Sequence, residues 1–123
     1  MIRTAQIEID RVETCDPVSD PRDYLFQDPD YRADDEARLK AWRYGEWHFV
    51  GIRAWATIKI PHGSNPDCRI TSQLLSPGLW GIESDSGDEY FEEVYRDERT
   101  LLIDMLQSLK TFELTALNNQ PQT

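Results

Sequence analysis

The sequence has little of what secreted, membrane-spanning or nucleic-acid-binding proteins need. Its two cysteines are too few for a disulfide scaffold. No apolar run approaches the roughly 18 residues of a transmembrane helix, and the first ten residues lack a hydrophobic signal region. Basic residues are scarce, with 13 Lys and Arg against 23 Asp and Glu. We therefore expect a cytoplasmic protein that binds neither a membrane nor nucleic acid directly.

The net charge of −10 over 123 residues is unevenly distributed. Residues 8–36 hold eleven acids and three arginines, and residues 83–98 hold eight acids and one arginine. The segment between them, 37–82, has a net charge of +4. If the two acidic blocks come together in the fold, they form one strongly negative face that attracts a basic protein surface. The alternative is that these acids serve solubility alone.

Length and composition predict a single domain over residues 1–123. Alternating apolar residues predict a first strand over 5–12, with Ile7 and Ile9 facing inward. Three Asp-Pro pairs then predict an irregular acidic loop over 13–33, since Pro removes a backbone donor and disfavours helix before it. The polar tail, 118–123, is expected to fray.

The middle of the chain predicts the centre of a sheet. Over residues 47–60 every even position from 50 onward is apolar. A period of two places those side chains on the core face of one strand. Turn-forming residues at 61–67 close a hairpin, and residues 69–75 return as its second strand. Residues 79–83 are either a short final strand or a buried turn.

Two helices are predicted on either side of this hairpin. The first covers residues 34–44, with Asp34 or Asp35 as its N-cap. The second runs from residues 84–89 to about Lys110, and its apolar residues recur every three or four positions. The expected fold is α+β: a small antiparallel sheet of three to four strands, with the long C-terminal helix packed on one face and the short helix before the central hairpin.

The segment Leu79-Trp80-Gly81-Ile82-Glu83-Ser84-Asp85-Ser86, followed by an acidic helix, resembles a stretch common in small bacteriophage and prophage proteins of unknown function. The strand at 49–54 looks similar to theirs too, and the resemblance covers roughly residues 45–105. It implies an origin in a mobile element rather than an activity. Small acidic phage proteins often inhibit host defence or restriction machinery, so the resemblance favours an inhibitor that acts in the host cytoplasm.

The long helix carries more acids than a helix N-terminus needs. Acids in the first turn suit the positive end of the helix dipole, but they continue beyond it. Several form like-charge i,i+4 pairs, each of which costs roughly 0.2–0.5 kcal/mol. Carboxylates about 6 Å apart could imitate a row of nucleic-acid phosphates before a basic groove, although a solvated helix face is the alternative. The candidate partner-binding residues are Asp85, Asp88, Glu89, Glu92, Glu93 and Asp97, with Asp28 and Asp30 of the loop.

Three aromatic residues, Trp47, Phe49 and Trp55, share the odd-numbered face of the central strand. The long helix covers only the other face. The odd face is therefore covered either within the chain, by the short helix or the Asp-Pro loop, or by a second chain, because bare aromatic patches are unusual. The second alternative makes these residues a candidate interface of a homodimer, or of a structural or immunity protein.

The sequence predicts no metal, no cofactor and no catalytic residue. Cys15, Cys68, His48 and His62 lack the close-paired spacing of structural zinc. No Gly-rich phosphate loop and no Gly-x-Ser-x-Gly turn is present. We expect a non-enzymatic protein whose acidic face blocks a basic, nucleic-acid-binding site on a host defence protein, such as a CRISPR or restriction nuclease.

Overall fold

One long strand, β2 (Phe49–Pro61), pairs with every other strand of the sheet. In this computed structural model, which describes residues 5–65 and 67–110, β1 (Gln6–Cys15) pairs with β2 along one edge. On the other edge, β3 (Arg69–Leu75) pairs with the second half of β2 and β4 (Leu79–Glu83) with the first half. All pairings are antiparallel. The predicted α+β class and the central hairpin are confirmed, and residues 79–83 form a strand.

The helix α2 (Asp88–Lys110) packs on the face of β2 that carries even-numbered side chains, which we call the even face. The buried core of this face comprises Val50, Ile52, Ala54, Ala56, Ile82, Phe91, Val94 and Leu102. Ile60, predicted to face the core, is 43% exposed. Alternation decides which face a side chain occupies, but not how far the covering helix shields that face.

The opposite, odd face is covered at one end by the loop of residues 16–31 and by the helix α1 (Arg32–Arg43). The ring of Phe49 makes edge contacts with Tyr24 at 6.3 Å and with Trp47 at 5.1 Å between centroids. Trp47 and Phe49 are each only 2% exposed. Cover within the chain is thus confirmed for these two residues, and their assignment to an intermolecular interface is wrong. Trp55 is half-buried.

Several predicted boundaries are wrong by a few residues. The strand β1 continues to Cys15, so the irregular loop begins later than residue 13, and Ile7 is 46% exposed. The loop contains two short 3₁₀ turns, and the second leads directly into α1. Tyr31 therefore occupies the cap position of α1 without a side-chain hydrogen bond, instead of Asp34 or Asp35. The predicted tail at 118–123 lies outside the described residues.

A bulge in β4 decides which side chains face the core. Val50 pairs with Ile82, whereas Ile52 pairs with Leu79. Between these two pairs β4 therefore contains one residue more than β2, which is a β-bulge. Gly81 takes up the extra residue with a φ of +74°, which glycine adopts without strain. As a result Ile82 points into the core, while Trp80 covers Gly51 on the odd face.

Trp80 approaches β2 closely because Gly51 has no side chain. A Cβ atom at position 51 would lie 2.4 Å from Cε3 of Trp80. The indole Nε1 also donates a hydrogen bond to the carbonyl oxygen of Pro77 at 3.1 Å. In the part of the chain described here, neither helix is long and apolar enough to cross a bilayer.

We expect Gly51→Ala to lower the free energy of unfolding by about 1–3 kcal/mol, because its methyl group overlaps the Trp80 ring. Urea unfolding of both proteins measures this loss. In a Trp80→Ala background the same substitution should cost much less, since the overlap is gone. An equal cost in both backgrounds would contradict the close contact.

Candidate protein-binding site

The guanidinium group of Arg38, on α1, binds two carboxylates of the second acidic block, those of Asp85 and Glu83. Its Nη1 and Nη2 donate hydrogen bonds to both carboxylate oxygens of Asp85 at 2.7 and 2.6 Å, and Nη2 also donates to Glu83 at 3.0 Å. The guanidinium carbon lies 3.9 Å from the centre of the Trp47 ring. The hydrogen-bonded guanidinium holds the pKa of Asp85 below its ordinary value. Asp85 was predicted to bind a partner, but both of its carboxylate oxygens accept hydrogen bonds from Arg38 of the same chain.

Glu83 also connects this cluster to the loop of residues 16–31. Its second carboxylate oxygen accepts a hydrogen bond from the hydroxyl of Tyr24. Burial, and then the neighbouring Glu83 carboxylate, raise the pKa of Tyr24. Two carboxylates thus share one guanidinium, which leaves the cluster of Arg38, Glu83 and Asp85 with a net charge of about −1 at neutral pH.

The acids of α2 divide into bound and free groups. Glu92 accepts a hydrogen bond from Nη1 of Arg11, on β1, at 2.5 Å, so it is partly neutralised. The other predicted acids of the helix are exposed, and none forms an ion pair within residues 5–65 and 67–110. These free residues are Asp88, Glu89, Glu93 and Asp97.

The loop acids do not join this group. Asp28 accepts a hydrogen bond from the N–H of Asp30 at 3.0 Å and thereby caps the second 3₁₀ turn. Both residues belong to the loop that covers the odd face, whereas α2 lies on the even face. The prediction that Asp28 and Asp30 share one acidic face with α2 is therefore wrong, because the sheet lies between this loop and the helix.

Glu98 of α2, which sequence reasoning did not single out, is structural. It is 6% exposed, and one carboxylate oxygen accepts hydrogen bonds from the hydroxyl of Ser76 at 2.8 Å and from the N–H of Gly78 at 2.5 Å. Because a buried carboxylate needs such partners, Glu98 attaches the β3–β4 connection to α2. In the sequence, Glu98 stands four residues after Val94, on the apolar side of the helix. This position was the signal that its side chain is buried.

Asp16 is a second structural acid that sequence reasoning missed. Its side chain accepts hydrogen bonds from the hydroxyl of Ser19 at 2.7 Å and from the N–H groups of Val18, Ser19 and Gly81 at 2.8–3.2 Å. The Ser19 hydroxyl, followed by the backbone donors, lowers the pKa of Asp16 against the opposing effect of burial. The bond to Gly81 attaches the loop to the β4 bulge. An Asp with Ser three residues later is a typical local capping pattern.

An open groove of about 640 Å³ runs along the outer side of β4. Trp80 and Glu83 of β4 line it, together with Tyr24 of the loop and Tyr90 of α2. Trp80, Tyr24 and Tyr90 are each between 42% and 43% exposed. The sequence alone did not indicate this groove, because it depends on the bulge that turns Trp80 away from the core.

No group of three His, Cys, Asp or Glu side chains suited to a metal ion occurs among the residues that the structure describes. Comparison of the chain with known protein families, with curated proteins and with solved structures found no match. The resemblance to phage proteins stays a prediction.

We expect Arg38→Gln to lower the free energy of unfolding by about 1–3 kcal/mol at pH 7, because it leaves two adjacent carboxylates without their cation. Arg38→Lys should give an intermediate loss, since lysine keeps the charge but not the paired hydrogen bonds. The pKa of Asp85 is lowered in the fold, so this contribution is present above the ordinary value of 3.8 and is lost as pH falls below it. Urea unfolding between pH 7 and pH 3 measures both effects. Full stability of the lysine variant would contradict the role of paired bonds.

Asp16→Asn should destabilise the fold by about 1–3 kcal/mol at pH 7, because its amide group faces donors that need an acceptor. The folded-state pKa of Asp16 is depressed, so the stability gap between wild type and variant should shrink as pH falls below 3.8. Chemical unfolding as a function of pH measures this gap. A gap that persists unchanged at low pH would show that the carboxylate charge is not involved.

Proposed function

We propose that this chain is a non-enzymatic acidic protein that blocks a basic site on another protein. The binding surface is the acidic face of α2, formed by Asp88, Glu89, Glu93 and Asp97. The partner site is one that normally holds nucleic acid, since that is where lysine and arginine are concentrated in a groove. The resemblance to small phage proteins suggests a host defence nuclease of the CRISPR or restriction type as the partner.

The observation that carries this proposal is the row formed by Glu89, Glu93 and Asp97. These residues are four positions apart, and the buried residues of α2 lie on another side of the helix. Each like-charge pair in the row costs roughly 0.2–0.5 kcal/mol. Arg96 is also exposed but forms no ion pair with them in the described part of the chain. The two repulsive pairs of the row oppose folding, and binding of a basic partner would give them a role.

The helix presents this row on a rigid support. Phe91, Val94 and Leu102 fix α2 to the sheet, and the buried Glu98 attaches it to the β3–β4 connection. Successive carboxylates lie about 6 Å apart along the helix axis. A basic groove thus meets regularly spaced negative charges on a backbone that needs no ordering on binding. The net charge of −10 attracts that groove over a longer range.

The alternative of an aromatic dimer has less support. Two of its three residues, Trp47 and Phe49, are buried under the loop and α1. Trp55 alone offers too little apolar surface for a stable dimer, which typically needs about 800 Å² from each subunit.

Neutralising the row should separate binding from stability. We expect E89Q/E93Q/D97N to unfold at equal or higher denaturant concentration, since two repulsive pairs are removed. Its affinity for fluorescent octa-arginine, used as a minimal basic probe, should fall about tenfold, because three exposed ion pairs of about 0.5 kcal/mol each are lost. Fluorescence anisotropy over a series of salt concentrations measures the affinity, and its salt dependence should become shallower.

The matched control is E8Q/D10N/D30N, which removes the same charge from exposed positions on β1 and the loop. It should retain most of the affinity. Equal losses in the two triple variants would assign binding to net charge and contradict a site on α2. Nucleic-acid cleavage by a CRISPR or restriction nuclease, with wild type or E89Q/E93Q/D97N added, tests the proposed partner class. No inhibition by wild type would contradict that class, and equal inhibition by both proteins would contradict the α2 site.

A further inference from the structure

We infer that the groove beside β4 receives a cationic side chain, lysine or arginine, of the basic partner; this inference rests on the proposed function. Trp80 covers Gly51 with one side of its ring, so its other side is directed away from β2. Tyr24 and Tyr90 line the same groove from the loop and from α2. Three partly exposed aromatic rings around one groove are a typical setting for a cation, because ring faces carry partial negative charge.

The charge of the groove favours a cation over other ligands. Glu83 lines it, and the cluster that Glu83 forms with Arg38 and Asp85 retains a net charge of about −1. Arg53 lies 5.8 Å from the Trp80 ring centre, and its Nε donates a hydrogen bond to the carbonyl oxygen of Ser76 at 3.0 Å, which fixes this cation beside the ring without removing its charge. Glu83 lines the groove itself, so a cationic side chain in the groove meets a carboxylate, which would repel an acidic ligand.

The groove adjoins the acidic face of α2. Tyr90 follows Glu89 in the first turn of α2. Glu93 comes three residues after Tyr90, so the two side chains are neighbours on the helix surface. A basic segment with one side chain in the groove can thus direct its neighbouring cations along Glu93 and Asp97. The groove would fix the position of the partner along the row of carboxylates.

The backbone of β4 is poorly suited to binding an added strand. The N–H of Gly81 donates to Asp16, and the carbonyl oxygen of Glu83 accepts hydrogen bonds from Ser86. These groups are therefore not available to another chain, although strand addition depends on such groups. Recognition in the groove must come from side chains.

Small probes test the groove separately from the row. N-acetyl-arginine amide should shift the ¹⁵N-NMR signal of the Trp80 indole N–H, whereas N-acetyl-glutamine amide should leave it unchanged. Tyr90→Leu should lower the octa-arginine affinity about two- to five-fold, as expected for a partly exposed cation–π contact. Its salt dependence should stay that of wild type, because no charge is removed.

Two matched variants control for folding and for general aromatic content. Tyr90→Phe keeps the ring and should retain the wild-type affinity. Tyr31→Leu removes an aromatic ring that is 59% exposed and lies on the loop, outside the groove, and should have no effect.

The outcomes distinguish this inference from the proposed function. If Tyr90→Leu binds like wild type while E89Q/E93Q/D97N binds weakly, the groove inference is wrong and the α2 site stands. If the arginine probe shifts Trp80 and Tyr90→Leu weakens binding while the triple variant has no effect, the groove is supported and the α2 site is contradicted. Equal shifts with the arginine and glutamine probes would overturn the preference for a cation.

Discussion

The guanidinium of Arg38 connects three parts of the chain that are far apart in sequence. It rests on Trp47 at the entrance to β2, pairs with both oxygens of Asp85 just before α2, and reaches Glu83 at the end of β4. These contacts hold α1 on the odd face and set the position from which α2 starts. They also leave one carboxylate in excess, so the contact that organises the fold contributes negative charge beside the groove.

Acidic residues in this chain have two roles that composition does not separate. Some satisfy internal donors: Asp16 binds the β4 bulge, and Glu98 binds the β3–β4 connection. Others, such as Glu93, are exposed without an ion pair in the described residues. A structural acid is recognised by its donors, and some of those donors come from distant segments: Gly81 for Asp16, and Ser76 and Gly78 for Glu98. The free acids are recognised only after the structural ones have been assigned.

The sequence predicted the parts of the fold that depend on local periodicity. The alternation from Val50 to Ala56 identified the central strand and its core face, and the helical repeat identified α2. It failed where distant segments decide the outcome. The cover of Phe49 depends on Tyr24, the orientation of Trp80 depends on a one-residue bulge, and the role of Asp85 depends on Arg38. For the same reason the candidate site was predicted only in part, as the acidic row of α2 without the groove next to it.

The floor of the groove depends on a residue that no ligand would touch. Gly51 lies beneath Trp80, in the interior of the central strand, and the indole reaches the sheet only because a hydrogen atom takes the place of a side chain there. The shape of the groove therefore depends partly on a residue in the interior of the sheet. Recognition could change during evolution through a substitution at position 51, while all the groove-lining residues stay the same.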